Sequence, residues 1–149
     1  MAIESVLTPA SLLYEEDFIA WTELMSAALE RRDVSDLDWE HLAEEIRDLG
    51  ISQKRSLTSH LENVMLHLIK WEIQPERRSG SWEDSISNSR GEVDSLLDSI
   101  RSLRGCLLES FDRCYNRAGR KALRETHLEK AVFTRWALDQ VLDPGFLPE

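Results

Sequence analysis

Three histidines and an arginine pair lie between residues 38 and 82, and their spacing decides what chemistry they can offer. His41 has Glu44 three and Glu45 four residues further on, so either carboxylate can meet the imidazole on one helix face. Such a pair suits a metal ion or a base held in place. One His and two Glu do not complete a site, however, and no Glu-x-x-His of the di-iron bundle type occurs. The plainer reading is a solvated acidic helix start. His60 and His67 share a face but stand about 10 Å apart along a helix axis. One metal ion with bonds of about 2.1 Å does not take both. They read as core-edge histidines, and no metal or cofactor is expected. Glu44, Glu45, His60 and His67 are the candidates for any acid–base work.

Two arginine constellations come next. Arg77 and Arg78 precede Ser79-Gly80-Ser81-Trp82, where Ser81 is the expected N-cap of a new helix. Free N–H groups and two guanidiniums make Arg77, Arg78 and Ser81 the best anion-site candidate. The structural alternative is that the arginines tie the turn to an acidic side chain such as Glu44 or Glu45. Arg113, Arg117, Arg120 and Arg124 follow at spacings of four, three and four, which keeps them on one helix face. That stripe suits an acidic partner. It also complements the acidic N-terminal third, within one chain or across a dimer. No aromatic side chains interleave with it, so RNA or DNA fits poorly. Cys114 beside Arg113 is open to a lowered pKa, but no base is assignable to a nucleophile. Nucleophile-elbow, phosphate-loop, paired-cysteine and zinc-protease motifs are all missing.

These residues must be positioned by helices. From Leu12 to Arg32, Tyr14, Phe18, Trp21, Leu24, Met25 and Leu29 recur at helical spacing, with Asp17 among the acids of the first turns. Ser35 or Asp36 can cap a second helix starting near Leu37. Its stripe runs through Leu42, Ile46 and Leu49, then Leu57, Leu61, Val64, Leu68 and Trp71, with a bend or break expected at Gly50. Pro75 ends it. A third helix carries Trp82, Ile86, Val93, Leu97 and Ile100 to a break at 102–105. A fourth carries Leu107, Leu108, Phe111, Cys114, Tyr115, Ala118 and Ala122. Residues 125–133 are ambiguous, 134–142 form a short last helix, and the tail 143–149 docks through Phe146, Leu147 and Pro148. The tryptophans read as core anchors. Residues 1–10 form a loose arm. The expected architecture is all-α: an antiparallel bundle of four main helices plus a short C-terminal helix.

At 149 residues the size prior is one domain. No apolar run approaches the roughly 20 residues that span a bilayer, and Met1 to Leu13 lacks the basic and apolar blocks of a targeting segment. A cytoplasmic location follows, without membrane attachment. Cys106 and Cys114 on one helix stand about 12 Å apart, too far for a disulfide. The net charge of −10 falls wholly within residues 1–48, which hold 13 acidic and 3 basic side chains. An acidic chain is a poor nucleic-acid binder in general.

Tyr14-Glu15-Glu16-Asp17-Phe18-Ile19-Ala20-Trp21 and Leu37-Asp38-Trp39-Glu40-His41-Leu42-Ala43-Glu44-Glu45-Ile46 resemble the opening of the DUF29 family of bacterial proteins, common in cyanobacteria. His67-Leu68-Ile69-Lys70-Trp71-Glu72-Ile73-Gln74-Pro75, with Arg77-Arg78-Ser79 and Ser81-Trp82, is similar to its most distinctive segment. Leu142-Asp143-Pro144-Gly145-Phe146-Leu147-Pro148 is similar to its ending. The chain departs from the family at 126–137, where a proline- and cysteine-containing link is more usual. The resemblance implies an all-helical fold and no particular activity. With no complete catalytic set, the sequence favours an interaction module over an enzyme. A protein partner or self-association is expected at Arg113, Arg117, Arg120 and Arg124. The alternative is an anion or metal site between the second and third helices.

Overall fold

The computed structural model describes residues 9–149. Residues 1–8, most of the expected arm, lie outside the described residues; Pro9 and Ala10 open a helix instead. The elements are α1 (Pro9–Glu16), α2 (Phe18–Glu30), α3 (Trp39–Ile73), a 3-10 turn (Pro75–Arg77), α4 (Gly80–Ser99), α5 (Leu103–Thr126) and α6 (Leu138–Leu142). No strand occurs among the described residues, so the chain is all-α. Length suggests one domain; the backbone contacts group into two compact units, Met1–Ile51 and Ser52–Glu149.

In the first unit the single expected helix is split at Asp17. Asp17 leaves helical geometry (φ −150, ψ 88) and its carboxylate accepts from the Ala20 N–H at 3.0 Å. Read from sequence as a first-turn acid, it is the N-cap of α2. Trp21, Met25 and Ala28 of α2 bury against Ala10 and Leu37, with Leu13, Tyr14 and Leu42 packed around them. Phe18, Leu24 and Leu29 of the expected stripe are exposed. Neither Ser35 nor Asp36 caps α3. Ser35 turns back, donating from both its N–H and its hydroxyl to Asp33 Oδ1. The residue before α3 is Asp38, and its carboxylate accepts from the His41 N–H at 3.4 Å.

α3 is helical throughout Trp39–Ile73, so the break expected at Gly50 does not occur. The burial of its stripe is uneven. Leu57, Leu61, Val64, Leu68 and Trp71 are buried, whereas Ile46 and Leu49, expected in the core, are exposed. Trp39 is also exposed, contrary to its reading as a core anchor.

The second unit is a hairpin of helices with a third helix laid along it. Asn63 donates to Ser89, and the Lys70 ammonium sits over the Trp82 ring. Advancing along α3 while retreating along α4, these pairs make the two helices antiparallel. Thr58 pairs with Cys114, Glu62 with Arg117 and Lys70 with Glu125, so α5 runs parallel to α3. Leu57, Leu61, Val64, Met65, Leu68, Ile86, Val93, Leu107, Tyr115 and Ala122 share one core. Leu108, expected in that stripe, is exposed. The cap of α4 is Ser79, whose hydroxyl accepts from the Trp82 N–H at 3.3 Å, rather than Ser81. The break between α4 and α5 falls at 100–102, slightly earlier than expected. α5 ends at His127, which adopts left-handed geometry (φ 57) and lets the Leu128 N–H bond back to Leu123 O. The last helix is shorter than the expected 134–142, because residues 134–136 are not helical and the N–H groups of Thr134 and Trp136 bond elsewhere. The Thr134 N–H donates to Glu72 and the Trp136 N–H to the Tyr115 hydroxyl. The tail does dock: Trp71 Nε1 donates to Pro148 O at 3.1 Å.

The packing of this segment needs Gly119. A Cβ there would stand 2.5 Å from Phe133 Cζ, and Phe133 is itself stacked on Tyr115. Gly119→Val is expected to cost about 2 kcal/mol, the usual scale for overpacking. Urea denaturation would show it as a lower midpoint at unchanged slope.

Candidate functional site

His41 is built into a polar cluster, but with other partners than expected. Its Nδ1–H donates to Asp38 Oδ2 at 2.6 Å. The same oxygen accepts from Trp21 Nε1 at 3.1 Å, and Asp38 is buried. Tyr14 stacks on the imidazole, with ring centroids 3.8 Å apart, and its hydroxyl donates to Glu45 at 2.6 Å. Glu45 is therefore engaged with Tyr14, and Glu44 is exposed. Sequence reasoning looked C-terminally from His41 and missed Asp38 at three residues before it. The signal was local: an Asp immediately ahead of a helix can cap it and hold a side chain one turn later.

The electrostatics follow from this geometry. The hydrogen bond to Asp38 raises the pKa of His41 above its ordinary 6.5, against an opposing effect of burial. Burial pushes the Asp38 carboxyl up, but the bonds from His41 and Trp21 together outweigh it and leave it below 3.8. The hydrogen bond to Glu45, then burial, pushes Tyr14 up to about 12. The cluster thus favours the protonated form of His41 against a buried carboxylate. It fixes the α2–α3 turn and the orientation of the ring through Nδ1.

In the second unit, His67 Nδ1–H donates to Asn63 O at 2.9 Å, and burial lowers its pKa. His60 is half-buried on the same helix. No group of three or more His, Cys, Asp or Glu side chains suited to a metal occurs among the described residues. Arg78 does not tie the turn to a carboxylate. Its Nε donates to Trp71 O at 2.9 Å and its guanidinium lies over the Trp71 ring. Arg77 and Ser81 are exposed. Cys114 has a raised pKa, about 11, because burial and then Glu62 outweigh Arg113. The lowered pKa that its neighbour suggested is therefore overturned. Cys106 and Cys114 are both free thiols.

Arg113, Arg117, Arg120 and Arg124 share the outer face of α5 and are all exposed. Arg117 reaches Glu62 at 3.4 Å, a pair whose cation is 57% exposed. Among the described residues the other three have neither an ion pair nor a side-chain hydrogen bond. Beside them a cleft of about 190 Å³ opens between α3 and α5. Arg117, Lys121, Ser59 and Glu62 line it, over Leu66 and Ala118.

A family model described as "Domain of unknown function DUF29" matches residues 13–147, nearly the whole chain. The chain belongs to the DUF29 family. Both clusters lie inside the DUF29 match, and Pro148, whose carbonyl accepts from Trp71, falls just beyond it. No curated protein and no solved structure matches the chain. The description of DUF29 names no activity. No helix among the described residues is long and apolar enough to cross a membrane.

Proposed function

We propose that this chain is a cytoplasmic binding module that engages an acidic protein partner through the outer face of α5. The supporting observation is the run of exposed arginines, of which Arg113, Arg120 and Arg124 are uncompensated among the described residues. Like charges one turn apart on a helix repel each other. An acidic surface laid along them relieves that repulsion, and guanidinium forks suit carboxylates. The overall charge of −10 makes nucleic acid the poorer partner. A catalytic role for Glu45 or His67 has less support, since Tyr14 and the Asn63 carbonyl already hold them.

The test is reversal of two charges. Arg113→Glu with Arg120→Glu is expected to weaken a complex recovered from the native host by about tenfold or more, the scale of 1.4 kcal/mol. Both side chains are exposed, so the fold should be unchanged by circular dichroism. If affinity and salt dependence were the same in the variant, this face would be discarded.

A further inference from the structure

The counter-charge that the α5 arginines lack stands on α4 of the same unit, facing away from them. Residues 52–149 hold 15 acidic and 15 basic side chains, so the second unit has no excess of either sign. The charges are sorted by helix. α4 carries Glu83, Asp84, Glu92, Asp94 and Asp98, and its one basic residue, Arg90, is buried. Asp84, Gly91 and Asp98 follow at spacings of seven along one exposed face, with Ser87, Asp94 and Ser95 beside them. None of the five carboxylates has an ion pair or a side-chain hydrogen bond among the described residues. On the opposite side of α4, Ile86 and Val93 are buried in the core that Tyr115 and Ala122 of α5 share. Those two stand opposite the arginines on α5. Each charged face therefore points out of the unit, and the two do not meet within one copy.

We propose that the acidic partner of the α5 arginines is the outer face of α4 on a second copy of this chain. This rests on the α5 reading and gives it a partner. The two faces match in length as well as in sign. Arg113 and Arg124 lie about 16 Å apart along their helix axis, and Asp84 and Asp94 about 15 Å apart along theirs. Between the aspartates the exposed side chains are small, so guanidinium groups can lie close to the α4 backbone. A Cβ at Gly91 would meet nothing within its own chain. The contact joins different faces of the two copies, so each added chain leaves one α4 and one α5 free, and the assembly grows into a ring or a chain. Single exposed ion pairs add little, which places the association in the micromolar range rather than lower. At physiological salt, charges more than about 8 Å apart are largely screened, so the net charge of −10 repels the copies weakly while the contact pairs persist.

Sedimentation velocity of the full chain from about 1 to about 100 µM at physiological salt is the test. The sedimentation coefficient of the wild type is expected to rise across that range. Arg113→Glu with Arg120→Glu, and separately Asp84→Arg with Asp98→Arg, should each sediment as a monomer with an unchanged helical spectrum. An equimolar mixture of these two variants should associate again, because one keeps its α4 face and the other its α5 face. Asp84→Asn with Asp98→Asn, a milder change at exposed positions, should raise the dissociation constant by about tenfold or more. A wild type that stays monomeric would overturn the proposal. So would association that survives the changes at Asp84 and Asp98, or a mixture that remains monomeric. In each of those cases, a host complex that still loses affinity with Arg113→Glu and Arg120→Glu would keep the α5 reading with another acidic protein as partner. A host complex indifferent to those two changes would remove the α5 reading as well.

Discussion

Arg90→Ala is expected to lower the stability of the second unit by about 4 kcal/mol, because it leaves two carbonyls without their donor and opens a void. Arg90 is buried on α4. Its Nε donates to Val141 O at 2.8 Å and its Nη2 to Phe146 O at 2.9 Å. One guanidinium therefore holds both α6 and the tail against the bundle. Burial lowers its pKa, with Asp143 opposing, but an arginine remains charged at any physiological pH. The loss should not be uniform. Hydrogen exchange should accelerate first in residues 136–148, whose docking depends on this side chain, and later in α3. Arg90→Lys should recover only part of the loss, since one ammonium does not reproduce the fork. If both variants exchanged like the wild type across the tail, the docking would have to rest on Phe146, Trp136 and the Trp71–Pro148 bond instead.

Asp38→Ala should be nearly as costly to the first unit, about 3 kcal/mol, because three donors converge on one buried carboxylate. Trp21 Nε1 would lose its partner, the His41 ring would lose its hydrogen-bonded carboxylate, and α3 would lose its cap. The same pair makes a pH prediction. The pKa of His41 is raised on folding, so its contribution is fully present below the ordinary 6.5 and is lost as pH rises through the folded value. The pKa of Asp38 is lowered, so its contribution is present above 3.8 and is lost as pH falls through the folded value. Residues 9–51 should accordingly be most stable between about pH 4 and 6.5. Tryptophan fluorescence of Trp21 during denaturation at several pH values would show it. Asp38→Asn should flatten the dependence; an unchanged profile would refute the pairing.

Local spacing revealed much of this fold because helices bury faces, and faces are written at three and four residues. The stripe 57–61–64–68–71 is buried at each position. The gap in the α4 stripe between Ile86 and Val93 was a legible warning. Position 90, four residues after Ile86, had to face the same way, and an arginine there had to find partners. Which carbonyls it found, more than fifty residues later in the chain, no local pattern contains. The first helix was misread for a different reason. Asp17 can sit in a first turn or cap a new helix, and the choice depends on how Tyr14 and Trp21 meet His41. Trp39, Ile46 and Leu49 show the opposite limit, since a periodic apolar stripe says that a face wants covering but not what covers it. The candidate site was least legible. Glu44 and Glu45 stood out by spacing from His41, but Asp38 and Tyr14 hold that ring.

The central claim, that the α5 arginines meet an acidic partner, is tested most directly by the salt dependence of the native complex. Its affinity should be measured at several salt concentrations for the wild type and for Arg113→Glu with Arg120→Glu. The account predicts that wild-type affinity falls steeply between low and physiological salt, where the screening length shortens to about 8 Å, and that the variant binds weakly with little slope. A wild-type affinity indifferent to salt, equal to that of the variant, would contradict it.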